Sequence, residues 1–432
     1  MSERPAQLSQ RKIFLFWLPL ALTWLMMSVE GPLLAALIAR LPNEVVNLAA
    51  YGVAYAFALV AEAPVIMLLS ASTSLCRGAE SYRRLRLFTF VLSFGVILLL
   101  VLLALEPVFE LVGVRLLGLH PEVAAETRMA LWFLLPWPGA IGLRRFYQGV
   151  LIADGRTRRV TLGTLMRVTV IALVGVMLTF SGLIPGAVAG ATALSCGVTA
   201  EALATRFLAR PSIATMLKRD DADSAPGLGE IWNFYLPLAL TPFIGLAAQP
   251  LIVFFLGNAV ASLESLAVLP VLYGLTFVFR ALGLSYQEAA IALIGDKLEQ
   301  RPATGCFARR LAVTVGIVLG LIALTPLAEL WLEGVSGLSP QLAQFSRLPL
   351  ILMIPMPLLT VWITWQRALL VKVRVTRPIS IATAVEAVAI FLLLAATVTT
   401  LELPGITLVA ATLVLSRLLA ILYLAPYCRR VA

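Results

Sequence analysis

Charged side chains are scarce in this sequence. Asp, Glu, Lys and Arg make up 13% of its 432 residues, whereas 60% are hydrophobic and the mean hydropathy is +0.96. A soluble domain is usually about one quarter charged and about half apolar. The composition therefore excludes an ordinary soluble domain and indicates a polytopic membrane protein. The net charge of +10 lies in short loops between apolar runs, so we expect no nucleic-acid partner.

Residues that build metal, redox and nucleotide sites are also few. His120 is the only histidine, which excludes a histidine-cluster metal site or proton relay. No Walker-type G-x-x-x-x-G-K-[ST] motif is present, so we expect no ATP hydrolysis, no other enzymatic activity, no catalytic residue and no cofactor. The four cysteines are scattered without C-x-x-C spacing, which predicts neither a disulfide framework nor a zinc site. They are Cys76, Cys196, Cys306 and Cys428.

Long apolar runs dominate what is present. A membrane-spanning helix needs about 20 mostly apolar residues. On that rule the sequence predicts an all-α polytopic membrane protein with twelve spans, several of which contain proline and should be kinked. The twelve predicted spans are 13–36, 46–71, 87–106, 129–152, 159–180, 184–207, 231–256, 264–292, 311–333, 347–371, 378–400 and 404–427.

Basic residues fall in alternate loops. One set of loops carries clusters such as Arg156, Arg158 and Arg159, and the C-terminal Arg429 and Arg430 belong to the same side. The loops of the other set carry isolated basic residues only. Because cytoplasmic loops are enriched in Lys and Arg, both termini are predicted to be cytoplasmic. The Arg-rich, Lys-poor composition suggests a bacterial inner membrane, and no cleavable signal peptide is expected at the polar N-terminus.

Two halves of the sequence resemble each other. "FWLPLALT" at 16–23 matches "FYLPLALT" at 234–241, and at the same offset Gln148 meets Gln366. The polar segment 210–230 separates the halves, which predicts an N-lobe of spans 1–6 (1–209) and a C-lobe of spans 7–12 (231–432). Both halves start on the same side, so the repeat is parallel. In such proteins the substrate site lies between the halves near the midplane of the membrane.

The sequence predicts twelve spans in two parallel six-helix lobes, and each lobe opens with F-x-L-P-L-A-L. This arrangement resembles that of the multidrug/oligosaccharidyl-lipid/polysaccharide (MOP) exporter superfamily, which includes the MATE-like transporters. Within it, "LAAYGVAYAF" at 48–57, Glu30 ahead of Tyr51, and "FYLPLAL" at 234–240 are similar to the progressive ankylosis (ANK) family. That resemblance implies an antiporter-like exporter of small anions such as citrate, pyrophosphate or nucleotides, working by alternating access. The chain lacks the long acidic C-terminal tail of animal relatives, which leaves the substrate open.

Several arginines and glutamines lie inside predicted spans. An arginine at the bilayer centre costs at least about 2.5–3.5 kcal/mol on insertion scales, so such residues usually face a cavity or a partner. We predict that six side chains bind the anion, since Arg grips carboxylate and phosphate in a multidentate way. The alternatives are snorkelling for the span-4 and span-10 arginines and an ion pair with Glu288 or Glu386 for the span-8 arginine. The six residues are Arg144, Arg145, Gln148, Arg280, Gln287 and Arg367.

Intramembrane carboxylates are the candidates for ion coupling. Glu30 precedes Gly31-Pro32 in span 1, and Glu62 lies just before Pro64 in span 2. Either could bind a coupling proton or sodium ion. Glu62 could instead pair with an arginine, and Glu30 could be exposed at the outer surface. Arg167 and Arg417 are interpreted as members of internal ion pairs.

These features predict a secondary active transporter that exports a small organic or phosphate anion. The expected partners are that anion, a proton or sodium ion and membrane lipids, with the chain as a monomer. A cation-coupled multidrug extruder and a lipid-linked oligosaccharide flippase of the same superfamily are the alternatives. A non-transporting membrane scaffold is disfavoured, because intramembrane arginines without a function would be costly.

Overall fold

The computed structural model describes residues 8–154, 156, 158–222, 225–295, 298–373 and 375–431. Regular structure in these residues is helical, apart from a single isolated bridge between Val260 and Pro404. Helices satisfy their backbone hydrogen bonds internally, as a chain in lipid requires. Each predicted span overlaps at least one long helix, although several helices begin earlier than predicted, most of all span 9, which begins at Arg301 rather than at 311. The all-α fold class is confirmed.

We keep the span numbers for the observed helices. Span 1 is Gln10–Ser28 with Glu30–Ala39, span 2 is Glu44–Glu62 with Leu68–Leu75, span 3 is Ala79–Ala104, span 4 is Pro121–Leu134 with Pro136–Ala153, span 5 is Arg158–Ser181, span 6 is Gly186–Met216, span 7 is Leu228–Leu246 with Ala248–Gly257, span 8 is Ser262–Leu293, span 9 is Arg301–Leu324, span 10 is Pro340–Leu352 with Pro355–Lys372, span 11 is Arg377–Val398 and span 12 is Gly405–Arg430. Among the described residues, ten of these segments are long and apolar enough to cross a membrane; spans 4 and 7 are the other two.

Proline explains the breaks within the spans. Pro32, Pro136, Pro250 and Pro355 each lie in the first turn of a new helix, and Pro64 lies in a short 3₁₀ turn inside span 2. Proline lacks the N–H that would continue a helix and clashes with the preceding turn. Breaks occur at matching places in spans 1 and 7 and in spans 4 and 10. The kinks predicted from these prolines are confirmed.

A short π-helix follows span 3 and another follows span 9. They cover Glu110–Leu116 and Leu330–Val335, and each is followed by a helix that starts with a proline. Nothing in the sequence pattern had predicted them. Because they occupy the same place in both halves of the sequence, they support the predicted duplication.

The helices form two compact units that do not coincide with the sequence halves. One unit is Leu37–Asn258, called here the 37–258 unit; the other joins the chain up to Ala36 to Ala259–Ala432 and is called the 259–432 unit. The first span of each half thus belongs to the other half's unit. The division at 210–230 remains a prediction about the sequence repeat.

Equivalent aromatic residues anchor the two exchanged spans. Trp17 in span 1 donates a hydrogen bond from its indole nitrogen to Ser285 Oγ in span 8 (2.9 Å), and its ring packs on Phe307. Tyr235, which stands at the matching position of span 7, donates its hydroxyl hydrogen bond to the carbonyl of Pro64 in span 2. Spans 8 and 2 are themselves repeat partners, so the exchange is made in the same way in both units.

Candidate functional site

A buried carboxylate organises the polar interior of the 37–258 unit. Glu201 in span 6 has 0% of its surface exposed. Its Oε2 lies 2.9 Å from Arg144 Nη1 and 3.8 Å from Arg167 Nη1, and its Oε1 accepts hydrogen bonds from Gln148 Nε2 and Thr164 Oγ1, both at 3.3 Å. Three spans thus converge on one side chain. The interpretation of Arg167 as a member of an internal ion pair is confirmed.

Helical spacing and small residues bring these groups together. Arg144 and Gln148 are four residues apart on the helix Pro136–Ala153, so they share a face. Gly163 in span 5 stands directly against span 6, where an added Cβ would lie 2.9 Å from Thr205 Oγ1 and 3.5 Å from Glu201 Cγ. A larger residue at this glycine would push span 5 away from the carboxylate.

Glu62 and Arg145 complete this cluster, which we call the Glu201 cluster. Glu62 is buried, at 8% exposure, and feels the charges of Arg144, Arg145 and Arg167. Arg145 is half-buried, and its Nε has no hydrogen-bond partner among the described residues. The cluster holds three arginines against two glutamates, so its formal charge is +1. Glu62 is therefore surrounded by cations, and its predicted pairing with an arginine is supported electrostatically.

The 259–432 unit contains a second, more basic cluster, which we call the Arg417 cluster. Arg417 Nε in span 12 lies 2.6 Å from Glu386 Oε1 in span 11, and its Nη1 donates to Thr360 Oγ1 in span 10 (3.2 Å). Arg367 Nη2, also in span 10, donates to Thr383 Oγ1 (3.3 Å). The interpretation of Arg417 as a member of an ion pair is confirmed.

Arg280 in span 8 lies beside this pair without joining it. Its charge interacts with those of Arg417 and Glu386 and with Tyr273, which lies two turns earlier on the same face of span 8. The Nε of Arg280 and the hydroxyl of Tyr273 are buried without a hydrogen-bond partner among the described residues. Glu386, one of the two partners suggested by the sequence, forms its ion pair with Arg417 instead. The other, Glu288, is exposed and forms no ion pair with Arg280.

The Arg417 cluster has an excess of positive charge. Among the described residues, Arg280, Arg367 and Arg417 face one glutamate, Glu386, so the formal charge of these four groups is +2. The Nε of Arg367 also lacks a partner among the described residues. Buried or half-buried cations without enough counter-charge are the feature of this unit that most resembles a site for an anion.

The remaining predicted residues also lie in the 259–432 unit. Glu30 begins the second helix of span 1 and is 6% exposed, which does not fit an outer-surface position. The adjoining Gly31 lies close to span 8, where its Cβ would be 3.8 Å from Gly274 Cα. Gln287 is half-buried two turns beyond Arg280, and it makes no hydrogen bond to a described residue. The structure thus separates the predicted anion-binding set into Arg144, Arg145 and Gln148 in one unit and Arg280, Gln287 and Arg367 in the other.

Spans 2 and 8 match at two positions that the sequence analysis did not predict. At the repeat offset that aligns residue 16 with 234, Tyr55 falls on Tyr273 and Glu62 falls on Arg280. Spans 2 and 8 therefore carry the same Tyr-to-charge spacing with opposite charges. Glu62 lies near the ion pair of the Glu201 cluster, and Arg280 lies near the ion pair of the Arg417 cluster. The repeat alignment could have found this pair, because only the offset was needed.

Comparison with known proteins supports the fold. No family model and no curated protein sequence matches the chain. Solved structures do match. An inward-facing multidrug resistance MATE family transporter of the MOP superfamily has a TM-score of 0.69 at 15% identity, covering 96% of this chain and 98% of that one. Lipid II flippase MurJ, in an inward closed conformation, has a TM-score of 0.71 at 15% identity, covering 95% and 87%.

A third match is a MOP superfamily transporter from Pyrococcus furiosus, described as having a binding pocket of reverse polarity. Its TM-score is 0.60 at 14% identity, covering 98% of this chain and 96% of that one. All three identities are too low to carry function from one protein to another. The TM-scores and the coverage establish that this chain has the helical fold of the MATE and related MOP transporters. The comparisons do not confirm the ANK family, which remains a prediction from the sequence.

Proposed function

We propose that the chain is a secondary active transporter of the MOP superfamily and that its 259–432 unit binds an anionic group of the substrate. The observation that carries the proposal is the Arg417 cluster, in which three arginines face one glutamate. Arg280 Nε, Arg367 Nε and the Tyr273 hydroxyl are buried there without partners among the described residues. These groups would contact the substrate, and Gln287 would add a further donor.

Buried positive charge without a counter-charge is costly. Arginine stays protonated even when buried, so it cannot relieve the cost by losing its proton. A carboxylate or phosphate group would supply the missing counter-charge, and it accepts two parallel hydrogen bonds from one guanidinium. A cationic drug would instead add to the repulsion. The +2 charge therefore favours an anion over the substrates of a cation extruder.

The Glu201 cluster has a different proposed role. Arg144 and Gln148 are held by Glu201, so they are less available to a substrate than Arg145, whose Nε has no described partner. We propose that Glu62, surrounded by arginines, responds to the coupling proton or sodium ion and that Arg145 senses its charge. Glu30 is the second candidate for this coupling.

Two alternatives follow from the structural neighbours. MurJ, a lipid II flippase, has a TM-score of 0.71, which makes an anionic lipid-linked substrate a second candidate. It requires the same arginines, because such a lipid carries phosphate. Multidrug extrusion, suggested by the multidrug resistance MATE neighbour, is the third candidate and fits the basic clusters least well.

Efflux from proteoliposomes separates these candidates. Vesicles would be loaded in parallel with labelled citrate, pyrophosphate, ATP and a cationic dye, with a fluorescent lipid-linked pyrophosphate in a flipping assay. We expect one anionic substrate to move and Arg280→Gln to reduce its transport at least about tenfold, the effect of losing one charged hydrogen bond of roughly 1.5–3 kcal/mol. Arg280→Lys, which keeps the charge, should retain more activity.

A matched control removes an arginine that lies outside both clusters. Arg310→Gln removes an exposed charge in span 9 and should leave transport within about twofold, since surface changes rarely exceed 0.5 kcal/mol. Anion transport that is unchanged in Arg280→Gln would overturn the proposed site. Dye efflux without anion movement would assign the chain to the drug extruders. Movement of only the lipid-linked probe would assign it to the flippases.

A further inference from the structure

A groove on the surface of the 37–258 unit changes character along its length. It is bounded by spans 3, 4 and 6. Near the arginine-rich ends of these spans it forms a pocket of ≈ 290 Å³ lined by Tyr82, Arg86, Tyr147, Arg206 and Arg210. This basic pocket belongs to neither the Glu201 cluster nor the Arg417 cluster.

The same three spans form an apolar cavity further along. It measures ≈ 380 Å³, and the residues that define it include Phe90, Ile97, Leu143, Thr199 and Leu203. On span 3, Arg86, Phe90 and Ile97 follow at intervals of four and seven residues, which places them on one helix face. On span 6, Thr199, Leu203, Arg206 and Arg210 follow at intervals of four, three and four residues, which also places them on one face. The basic pocket and the apolar cavity are therefore successive parts of one groove.

The length of the groove fits one leaflet of a bilayer. From Arg86 to Ile97 a helix rises about 16 Å at 1.5 Å per residue, and half of a hydrocarbon core is about 15 Å. Apolar side chains beside the groove are exposed, with Phe207 at 62% and Leu87 at 53%. Such surface is expected where acyl chains contact a helix. An acyl chain in the cavity would bring its headgroup to the arginines.

The arginines of the pocket have no anionic partner in the described part of the chain. No described carboxylate forms an ion pair with Arg86, Arg206 or Arg210. Aromatic rings hold two of them in place: the Cζ of Arg86 lies 5.5 Å from the Tyr82 ring centre, and that of Arg210 lies 4.6 Å from the Phe207 ring centre. Their loops are on the side that the sequence predicts to be cytoplasmic. Basic pockets between helices on that side bind anionic headgroups.

We propose that this groove is a binding site for an anionic phospholipid of the cytoplasmic leaflet. Arg86, Arg206 and Arg210 hold the phosphate, Tyr82 and Tyr147 line the headgroup pocket, and one acyl chain occupies the cavity beside Thr199 and Leu203. The site is separate from the proposed transport site, and it would make the stability or activity of the protein depend on the lipid composition of its membrane.

Native mass spectrometry of the purified full chain in detergent tests the proposal. Phosphatidylglycerol, phosphatidylcholine, glycerol 3-phosphate and inorganic phosphate would be titrated separately. We expect phosphatidylglycerol to bind most tightly. The triple variant R86Q/R206Q/R210Q should weaken this binding at least about tenfold, since each arginine near an anionic lipid surface contributes substantially. The control R309Q/R310Q/R430Q removes three exposed arginines elsewhere and should leave the affinity within about twofold.

A second variant tests the acyl-chain part. Thr199→Trp fills the cavity without changing charge, so it should weaken the binding of phosphatidylglycerol. An unchanged melting temperature of this variant would confirm that it is folded. Equal losses in the triple variant and its control would overturn the proposal, because binding would then depend on overall charge. Inorganic phosphate or glycerol 3-phosphate binding as tightly as the lipid, with Thr199→Trp having no effect, would also overturn it and identify a site for soluble phosphates.

Discussion

At the scale of single residues, Glu201 is the side chain on which most of its neighbours depend. It has no exposed surface and serves two arginines, a glutamine and a threonine at once. Burying an ion is tolerated only when other groups replace the lost water. Here those groups come from spans 4 and 5, so one carboxylate ties three spans together.

Replacing Glu201 with Gln should therefore strongly destabilise the protein. Arg144 and Arg167 would lose their ion-pair partner and Glu62 alone would face three arginines, and removing one partner of a buried ion pair costs about 3–5 kcal/mol. Thermal unfolding in detergent, followed by fluorescence, would measure the loss. Glu402→Gln, which changes an exposed carboxylate, should shift the melting temperature little.

The double variant Glu201→Gln with Arg144→Gln sharpens this test. It removes one cation together with the anion, so part of the lost stability should return. A double-mutant cycle would give a coupling energy between the two sites. Coupling near zero would mean that the 2.9 Å contact contributes nothing to stability.

Asp221 is a residue of the predicted linker that has a structural role. Its Oδ1 accepts a hydrogen bond from the backbone N–H of Glu80 (2.8 Å) and a longer one from that of Ser81 (3.4 Å), at the start of span 3. Partial burial alone would raise the pKa of this carboxyl. The hydrogen bonds from the Ser81 side chain and from the backbone of Glu80, Ser81 and Gly78 outweigh it, so the pKa is lowered. Asp221 is thus an N-cap supplied from a distant part of the sequence.

The stability that Asp221 contributes should depend on pH. A carboxyl with a lower pKa in the folded state stabilises fully above its unfolded pKa of about 3.9 and loses that effect as pH falls through the folded value. Asp221→Asn keeps a capping oxygen but removes the negative charge at the start of span 3, so it should cost about 0.3–1 kcal/mol at pH 7. The difference from the unaltered protein should shrink at pH 3. Melting curves at both pH values measure this. The neighbouring Asp220→Asn is the control, and a cost independent of pH would contradict the role of the charge.

At the scale of helices, glycines set how closely the spans approach. Gly149 in span 4 faces span 2, where an added Cβ would lie 1.7 Å from Ser72 Oγ and 2.6 Å from the carbonyl oxygen of Leu69. The backbone carbonyl cannot rotate away as a side chain could. Span 4 carries Arg144, Arg145 and Gln148. This contact with span 2 therefore also fixes where these three side chains lie along span 2.

Gly149→Ala should consequently destabilise the protein by about 1–3 kcal/mol, as overpacking does. Gly95→Ala is the matched control, because its Cβ would meet nothing within 4 Å. In a helix interior that substitution should be neutral or stabilise by up to about 1 kcal/mol. The melting temperature should thus fall in Gly149→Ala and stay the same or rise in Gly95→Ala. A neutral result at Gly149 would show that spans 2 and 4 can separate easily.

At the scale of the whole molecule, the exchange of spans 1 and 7 links the two sequence halves. Span 1 packs in the 259–432 unit through Trp17, and span 7 packs in the 37–258 unit through Tyr235. Each half therefore lacks one helix of its own unit. This exchange makes the folding of each half depend on the presence of the other.

Fragments of the chain would reveal that dependence. Residues 1–222 and 225–432 expressed alone should aggregate or be degraded, because each exposes the surface that the exchanged helix covers. Expressed together, they should purify as a complex, and Trp17→Ala should weaken it by removing an aromatic group whose truncation costs about 3–5 kcal/mol. A tag on one fragment and the yield of the other provide the measurement. A stable, monodisperse 1–222 fragment would contradict the exchange.

The amino-acid sequence by itself determined the all-helical class, the twelve spans and the breaks at proline. Each of these follows from local composition: apolar runs of sufficient length, and prolines that cannot continue a helix. It also located the charged residues within the spans, such as Glu62, Arg144, Arg280 and Arg367. The type and order of the residues along the chain contain all of that information.

Only the tertiary structure decided which charges meet and which helices belong together. Arg144 meets Glu201, and Glu386 meets Arg417 rather than Arg280, because each pairing depends on the rotation and neighbours of several helices. The sequence also did not predict that spans 1 and 7 pack in the unit of the other half. "FWLPLALT" and "FYLPLALT" are nearly the same sequence, so either copy could pack against span 2 or span 8 by its local pattern. The choice between them depends on contacts distant in sequence, such as Trp17 with Ser285, which a repeat of nearly identical motifs cannot specify.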